Sequence, residues 1–168
     1  MKLYTYQINN DGVDRIGVEC SGWRGMLWPL EAFGLKFRDM HDLICHITPA
    51  QLSRIADAEN ATEGNALRLT NVRLRSPIPH PEQDIVCLGI NYADHAVESA
   101  RFHEQSFLLS REKATYFSKR AYETTGSGDP IPSYEGLVTE LDYEVELGVV
   151  IGKDCRKVSQ SEAPNYIF

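Results

Sequence analysis

Four acidic residues alternate along residues 138–152, whose sequence is VTELDYEVELGVVIG. They are Glu140, Asp142, Glu144 and Glu146. Successive side chains of a β-strand point to opposite faces, so a strand here would place all four carboxylates on one face and apolar residues on the other. The apolar GVVIG that follows indicates a strand that runs from a half-exposed edge into a buried core.

Two of these carboxylates are suitable ligands for a divalent cation. Alternate residues of a strand lie about 6.6–7 Å apart, so two glutamates can converge on one ion held at about 2.0–2.5 Å. Oxygen ligands favour Mg²⁺, Mn²⁺ or Ca²⁺ over zinc. Glu144 and Glu146 lie nearest the apolar end, where an unpaired charge is most costly. The alternative is an ordinary strand with a solvated acidic face, and the pattern alone does not choose between them.

A second polar group lies in GINYADHAVE, residues 89–98. A buried strand is predicted over 84–90 and ends in a turn here, and a helix is predicted from Ala93 onward. His95 and Glu98 are three residues apart and therefore share one helix face. A carboxylate beside an imidazole orients the ring to take a proton from water, which is general base chemistry. A surface His–Glu pair without a catalytic role is the alternative interpretation.

A lysine in the segment YFSKR is the third candidate. Residues 114–121 predict a strand, and either Lys119 or Arg120 could face a pocket and hold an anionic substrate. A solvated strand lysine is the alternative.

The residues that precede these groups predict a small α+β domain. Residues 3–7 and 13–20 flank Asn10-Asp11-Gly12, a pattern typical of a β-hairpin. Residues 39–47 predict a short helix. Thr48-Pro49-Ala50-Gln51 then forms a capping-box pattern, with proline at the first helical position.

A linker separates this domain from the candidate site residues. Residues 66–75 alternate but change parity around Asn71, which predicts a strand with a break or bulge. The sequence SPIPHP that follows has three prolines in six residues and is incompatible with a helix or a central strand. The predicted organisation is an N-terminal domain over 1–75, a linker over 76–83 and a second domain over 84–168.

Composition limits the possible partners. The formal net charge is −7, from 17 basic and 24 acidic residues, which argues against general binding to nucleic acid backbones. No apolar run approaches the roughly 18–20 residues of a membrane helix, and the N-terminus lacks the apolar core of a signal peptide. The four cysteines are far apart, with no C-x-x-C pair. They are interpreted as reduced thiols, and the chain is expected to be cytoplasmic.

Taken together, these motifs resemble the fumarylacetoacetate hydrolase family. The residues that carry the resemblance are IVCLGINYADHAVE, TYFSKR, GSGDPI and LDYEVELGVVIGKDCRKVSQSEAPNYIF. They occur in the family's order and spacing and cover residues 84–168. Residues 1–75 resemble only loosely the variable N-terminal domain of bacterial members.

The resemblance implies a role for each matching position. Glu144 and Glu146 correspond to two glutamates that bind the divalent metal, Mg²⁺ or Mn²⁺, with Ca²⁺ as a further candidate. His95 corresponds to the histidine that activates water, and Glu98 to its carboxylate partner. Lys119 and Tyr92 correspond to substrate-binding positions. Glu140 and Asp142 have no metal role in the family and are expected to be solvated.

The resemblance also implies an activity and an assembly. Members act on small 2-oxo acids, so hydrolysis of a C–C bond in an acylpyruvate is expected, with isomerisation, tautomerisation or decarboxylation on the same site as the alternative. The implied fold is α+β, a small N-terminal domain followed by a mixed β-rich roll, in a homodimer. The third metal ligand and the rest of the roll do not match any residue here. The chain is therefore expected to be the N-terminal portion of such an enzyme, inactive alone, or a non-catalytic module.

Overall fold

The computed structural model describes residues 1–62, 66–89, 91–92 and 114–168. Two compact units make up the chain, one formed by residues 1–79 with 125–168 and the other by residues 80–124. Helices and antiparallel sheets are both present, which confirms the predicted α+β class.

A five-stranded antiparallel sheet forms the centre of the N-terminal region, with strand order β4-β3-β2-β1-β5. Its strands are β1 (Lys2–Gln7), β2 (Arg15–Glu19), β3 (Met26–Pro29), β4 (Leu67–Arg68) and β5 (Arg73–Leu74). β1 and β2 form the predicted hairpin, with Lys2 opposite Glu19 and Tyr6 opposite Arg15. Positive φ angles at Asn9, Asn10 and Gly12 allow the chain to reverse there, and asparagine and glycine tolerate this conformation best.

The predicted break near Asn71 is larger than a bulge. Residues Leu69–Asn71 form a 3₁₀ turn, and the short strands on either side of it pair with opposite edges of the sheet. Four strand spacings in a flat sheet would separate those edges by about 19 Å. The five peptide steps from Arg68 to Arg73 reach about 17 Å even when fully extended. The sheet must therefore curl so that its two edges approach each other.

Two short helices pack against this sheet. α1 (Met40–His46) is capped by Asp39, whose side chain accepts a hydrogen bond from the backbone N–H of Asp42 at 2.8 Å. α2 (Pro49–Ile55) has the predicted capping box, in which Gln51 N donates to Thr48 Oγ1 at 3.2 Å and Thr48 N donates to Gln51 Oε1 at 2.9 Å. These reciprocal bonds satisfy two backbone donors that the helix start would otherwise leave without partners.

The hydrophobic core lies between the sheet and the helices. Its fully buried side chains include Val18 of β2, Phe33, Leu43 of α1 and Ile55 of α2. Gly17 faces Leu27 so closely that a Cβ would lie 2.8 Å from the leucine side chain. Only glycine fits at this point of the central strand, because any side chain would have to displace packed neighbours.

After residue 83, two strands form a separate hairpin. β6 (Ile85–Gly89) pairs antiparallel with β7 (Thr115–Lys119), so both strands exist where the sequence predicts them. The expected burial of residues 84–90 is wrong, because Ile85, Val86 and Leu88 are exposed. Among the described residues, no second layer covers the apolar side chains of this two-stranded sheet.

The predicted strand over residues 138–152, hereafter the acidic segment, is also wrong for the described structure. No residue from 139 to 150 belongs to a helix or a strand, and every residue from 141 to 151 is exposed. A strand requires a neighbour that accepts and donates its backbone hydrogen bonds. Only Ile151 forms an isolated bridge, to Ile167, among the residues that the structure describes.

Within the described ranges, no helix combines the length and apolar character that a membrane span requires.

Candidate functional site

The two predicted metal ligands lie on the surface. Glu144 and Glu146 are both exposed, within a stretch that belongs to no strand. They offer an all-oxygen donor set, which suits Mg²⁺, Mn²⁺ or Ca²⁺ in kind. Across residues 1–62, 66–89, 91–92 and 114–168, no group of three or more metal-ligating side chains comes together. The donor chemistry therefore fits a divalent cation, whereas the described residues supply only part of a site.

The C-terminal residues form backbone hydrogen bonds with the end of the acidic segment. Phe168 N donates to Val150 O, and Gly152 N donates to Tyr166 O, both at 2.8 Å. A Cβ on Gly152 would lie 3.0 Å from the Cβ of Phe168, so glycine permits this close approach. The backbone on one side of residues 150–152 is thus already in antiparallel pairing.

Lys119 and Tyr92 both lie in the unit formed by residues 80–124. Lys119 is the last residue of β7 and is exposed, with its Nζ 6.0 Å from the centroid of the Phe117 ring. It pairs with Ile85, whereas Gly89, three residues before Tyr92, pairs with Thr115 at the other end of the hairpin. Four residue steps separate these ends, which corresponds to about 14 Å. The hairpin alone does not bring Lys119 to the turn that carries Tyr92.

His95 and Glu98 lie outside the described residues. Their assignment as water-activating base and carboxylate partner stays a prediction from the sequence.

A cluster of charged side chains fixes the GSGDPI loop, residues 126–131, to β5. The sequence analysis did not predict this cluster. Asp129 accepts hydrogen bonds from Arg73 Nη2 at 2.8 Å and Nε at 3.3 Å, and its other oxygen lies 3.5 Å from Arg75 Nη1. Gly126 meets the β5 backbone, where an added Cβ would lie 2.9 Å from Leu74 O. The loop itself is indicated by the sequence Gly-Ser-Gly-Asp at residues 126–129, which is typical of a turn. Its partners in β5 could not be read from the sequence.

This cluster predicts a pH-dependent contribution to stability. The hydrogen bonds from Arg73, then the backbone N–H of Gly126 and the charges of Arg73 and Arg75, lower the pKa of Asp129. A lowered folded-state pKa stabilises the fold above the unfolded pKa, and that contribution is lost as the pH falls through the folded value. Asp129→Asn should therefore lower the melting temperature at pH 7. The difference from the parent chain should shrink as the pH is lowered through about 4 and below.

Thermal unfolding of both chains at pH 7, 5, 4 and 3 measures this difference. Asp142→Asn, an exposed aspartate of the acidic segment, is the matched control and should leave the melting temperature unchanged at pH 7. An Asp129→Asn difference that is as large at pH 3 as at pH 7 would show that the carboxylate acts through packing and not through its charge.

Glu19 is the one acidic side chain that is buried among the described residues. Its carboxylate accepts a hydrogen bond from Gly25 N at 2.5 Å and from Tyr4 Oη at 3.2 Å, and lies 3.6 Å from Lys2 Nζ. The bond from Gly25 is the main cause that lowers its pKa, despite the opposing effect of burial. Because these donors already occupy the carboxylate, it fixes the turn between β2 and β3 and is not a candidate ligand.

Comparison with known proteins agrees with the family resemblance of the sequence motifs. The family described as "Fumarylacetoacetate (FAA) hydrolase C-terminal" matches residues 84–168. The chain is 38% identical over 119 residues to "Oxaloacetate tautomerase YisK" of Bacillus subtilis, a match that covers 70% of this chain and 38% of that relative. It is 32% identical over 113 residues to an uncharacterised protein of Staphylococcus aureus (strain USA300), covering 67% and 35% of the two chains. The chain thus spans well under half the length of the curated relatives that it matches.

Proposed function

The chain belongs to the fumarylacetoacetate hydrolase family, and from this membership we propose that it is part of a divalent-metal-dependent enzyme that interconverts the enol and keto forms of small 2-oxo acids. The observation that carries the proposal is the 38% identity to a protein named oxaloacetate tautomerase. The substrate class is accordingly a short 2-oxo acid that carries at least one carboxylate, with oxaloacetate as the first compound to test.

In this proposal each candidate residue has one role. Glu144 and Glu146 hold Mg²⁺ or Mn²⁺, with Ca²⁺ as a possible substitute. The ion, when bound, supplies Lewis-acid stabilisation of negative charge on the substrate's oxygens. Lys119 pairs with a substrate carboxylate, and Tyr92 contacts another part of the substrate. The exposed side chain of Lys119 can reorient towards such an anion without the loss of a buried contact.

His95 moves the proton in this scheme. Tautomerisation takes a proton from the enol oxygen and adds one to the far carbon of the enol C=C bond, so atoms and charge balance without consumption of water. An imidazole exchanges protons near neutral pH, which suits it to both steps. Glu98, three residues along, holds the ring in one orientation and is a positioning residue.

Hydrolysis of an acylpyruvate is the second candidate, and the name of the matching family favours it. The same residues would serve, except that His95 would take its proton from a water molecule that attacks the distal carbonyl. The C–C bond would break, and the products would be a carboxylic acid and pyruvate. Release of pyruvate therefore separates this reaction from tautomerisation, which releases nothing.

The assay that tests the proposal needs the remainder of the domain. Residues 1–168 are fused to the part of the B. subtilis relative that continues the matched region towards its C-terminus, and the fusion is loaded with Mn²⁺. Loss of enol absorbance from freshly dissolved oxaloacetate should accelerate without pyruvate release. Pyruvate release from an acylpyruvate, with no effect on the enol, would instead favour the hydrolase. No effect on either compound would contradict both candidates.

Metal binding by the chain itself is tested by thermal unfolding with and without millimolar Mn²⁺. A ligand that binds only the folded state stabilises it by about 2.7 kcal/mol at a hundredfold excess over its dissociation constant. We expect a smaller shift for this chain than for the fusion, because the described residues supply two carboxylates and no third ligand. Glu144→Gln and Glu146→Gln should each remove the shift in the fusion, whereas Glu140→Gln should retain it. Equal shifts in all three variants would assign the acids to a solvated face.

A cytoplasmic location and a homodimeric enzyme are part of the proposal. The location is supported by four cysteines that are all free thiols. Sedimentation of the fusion would measure the oligomeric state.

A further inference from the structure

The first helix, α1, carries four side chains that can bind metal ions. They are His41, Asp42, Cys45 and His46. Residues four apart on a helix lie on the same face, so the helix places His41 beside Cys45 and Asp42 beside His46. None of the four takes part in the proposed reaction. The two pairs differ in their donor atoms and in how far their contacts within the chain already satisfy them.

The pair of Asp42 and His46 is occupied by contacts within the helix. His46 Nδ1 lies 3.0 Å from Asp42 Oδ1 and 2.9 Å from the backbone oxygen of the same residue. The other carboxylate oxygen of Asp42 accepts a hydrogen bond from Arg38 N at 2.9 Å. Both oxygens of the carboxylate therefore have partners, and this pair serves to stabilise the helix.

The pair of His41 and Cys45 has the geometry of two zinc ligands. Cys45 Sγ lies 3.5 Å from His41 Nε2. Tetrahedral Zn²⁺ binds an imidazole nitrogen at about 2.0–2.1 Å and a thiolate sulfur at about 2.3 Å, which sets these two atoms about 3.5 Å apart. The side chains thus already have the separation that one ion requires. A plain hydrogen bond between thiol and imidazole gives a similar distance and is the alternative interpretation.

Packing of α1 holds this pair in place. The opposite face of the helix is buried in the core through Met40, Leu43 and Ile44. Cys45 is an exposed free thiol, so an ion from solvent can reach its sulfur without any opening of the core. Because the backbone that carries both ligands is fixed before binding, little conformational freedom is lost when an ion binds.

We propose that His41 and Cys45 bind one Zn²⁺, or a similar borderline divalent cation, with water in the remaining coordination positions. Thiolate and imidazole donors disfavour Mg²⁺ and Ca²⁺, the opposite preference to that of the carboxylates in the acidic segment. Binding replaces the proton of the thiol, which is released to solvent, so the affinity rises with pH. Among the described residues no third ligand joins the pair, and the affinity should therefore lie well below that of a four-ligand structural site.

The test titrates the reduced 168-residue chain with Co²⁺, whose bond to a thiolate gives a charge-transfer band in the near ultraviolet. The band should saturate at one Co²⁺ per chain and disappear on addition of Zn²⁺, which the same donors bind more tightly. Cys45→Ser should abolish the band, and His41→Ala should weaken Co²⁺ binding at least tenfold. The matched controls are Cys155→Ser, at another exposed thiol, and His46→Ala, and both should leave band and affinity unchanged.

The variants separate ligation from a fault in folding and from the other proposed metal site. Melting temperatures in EDTA identify any variant that is destabilised, and His41→Gln, which keeps a polar side chain, replaces His41→Ala if that variant is. Glu144→Gln should retain the band, so this inference does not depend on the proposed catalytic activity.

Every outcome of the titration decides for or against the site. A band that requires both Cys45 and His41 supports it. Absence of a band, a band that survives Cys45→Ser, or equal loss in Cys155→Ser would overturn it. Saturation at half an ion per chain, together with dimerisation, would overturn a site within one chain in favour of one shared by two copies.

Discussion

Replacement of His95 by alanine in the metal-loaded fusion should lower kcat for enol–keto interconversion about a thousandfold, within the range of 10²–10⁴ typical for loss of a general base. KM should change little, because the imidazole acts on the moving proton and not on the bound ground state. The measurement is the rate of loss of enol absorbance at saturating and subsaturating substrate. Mn²⁺ affinity should stay unchanged, because His95 is not among the proposed ligands.

The control is His46→Ala, since His46 is an exposed histidine at the end of α1 that pairs with Asp42 of the same helix. Its removal should leave kcat and KM unchanged. Glu98→Gln should lower kcat less than His95→Ala and should shift the acidic limb of the rate–pH profile, which a merely structural change would not do. If His95→Ala retains most of the activity, the pair His95 and Glu98 is an ordinary surface pair and the base lies elsewhere.

The N-terminal elements were predictable because their signals are local. The β1–β2 hairpin depends on a turn of asparagine, aspartate and glycine, and the start of α2 depends on a threonine and a glutamine three residues apart. Each signal acts between neighbouring residues, so no distant part of the chain can override it easily. The path of the chain near Asn71 was less predictable. A break in alternation does not tell which edge of a sheet each half joins.

The conformation of the acidic segment, in contrast, was not predictable from its local pattern. Its alternation is the clearest strand pattern in the second half of the chain, yet the described structure has no strand there. Alternation reports which faces a strand would have, whereas formation of the strand requires hydrogen-bond partners that the pattern does not contain. The same limit applies to β6, whose apolar run predicted burial although its side chains are exposed. In both segments the sequence is consistent with a fold that needs further layers.

The chemistry of the candidate site could likewise be predicted from the sequence, whereas its assembly could not. Residue types and spacing identified oxygen donors in Glu144 and Glu146, and the choice of cation follows from that chemistry. The proposed site would also need a third ligand and a defined position for Lys119, and both depend on tertiary contacts. The Asp129 cluster illustrates this dependence, because its arginine partners lie more than fifty residues earlier in the chain.

The largest effect on stability is expected from Leu43→Ala. Leu43 lies on α1 with 0% exposure and belongs to the core cluster with Phe33 and Ile55. Truncation of a buried leucine removes apolar contact area and leaves a cavity, which together cost about 3–5 kcal/mol. Small domains are stable by only about 5–15 kcal/mol, so this change should bring the N-terminal region near to unfolding at room temperature. Urea unfolding followed by tryptophan fluorescence reports on it directly, because Trp28 is buried in the same cluster.

The matched control is Leu137→Ala, because Leu137 is 85% exposed and precedes the acidic segment. Its removal should change the free energy of unfolding by less than about 0.5 kcal/mol, as is usual for a surface site. The difference in the free energy of unfolding between the two variants shows which part of the chain contains the core. If both variants lost several kcal/mol, residues 114–168 would have to contribute a packed layer of their own. If only Leu43→Ala is destabilised, the N-terminal region carries the folding free energy.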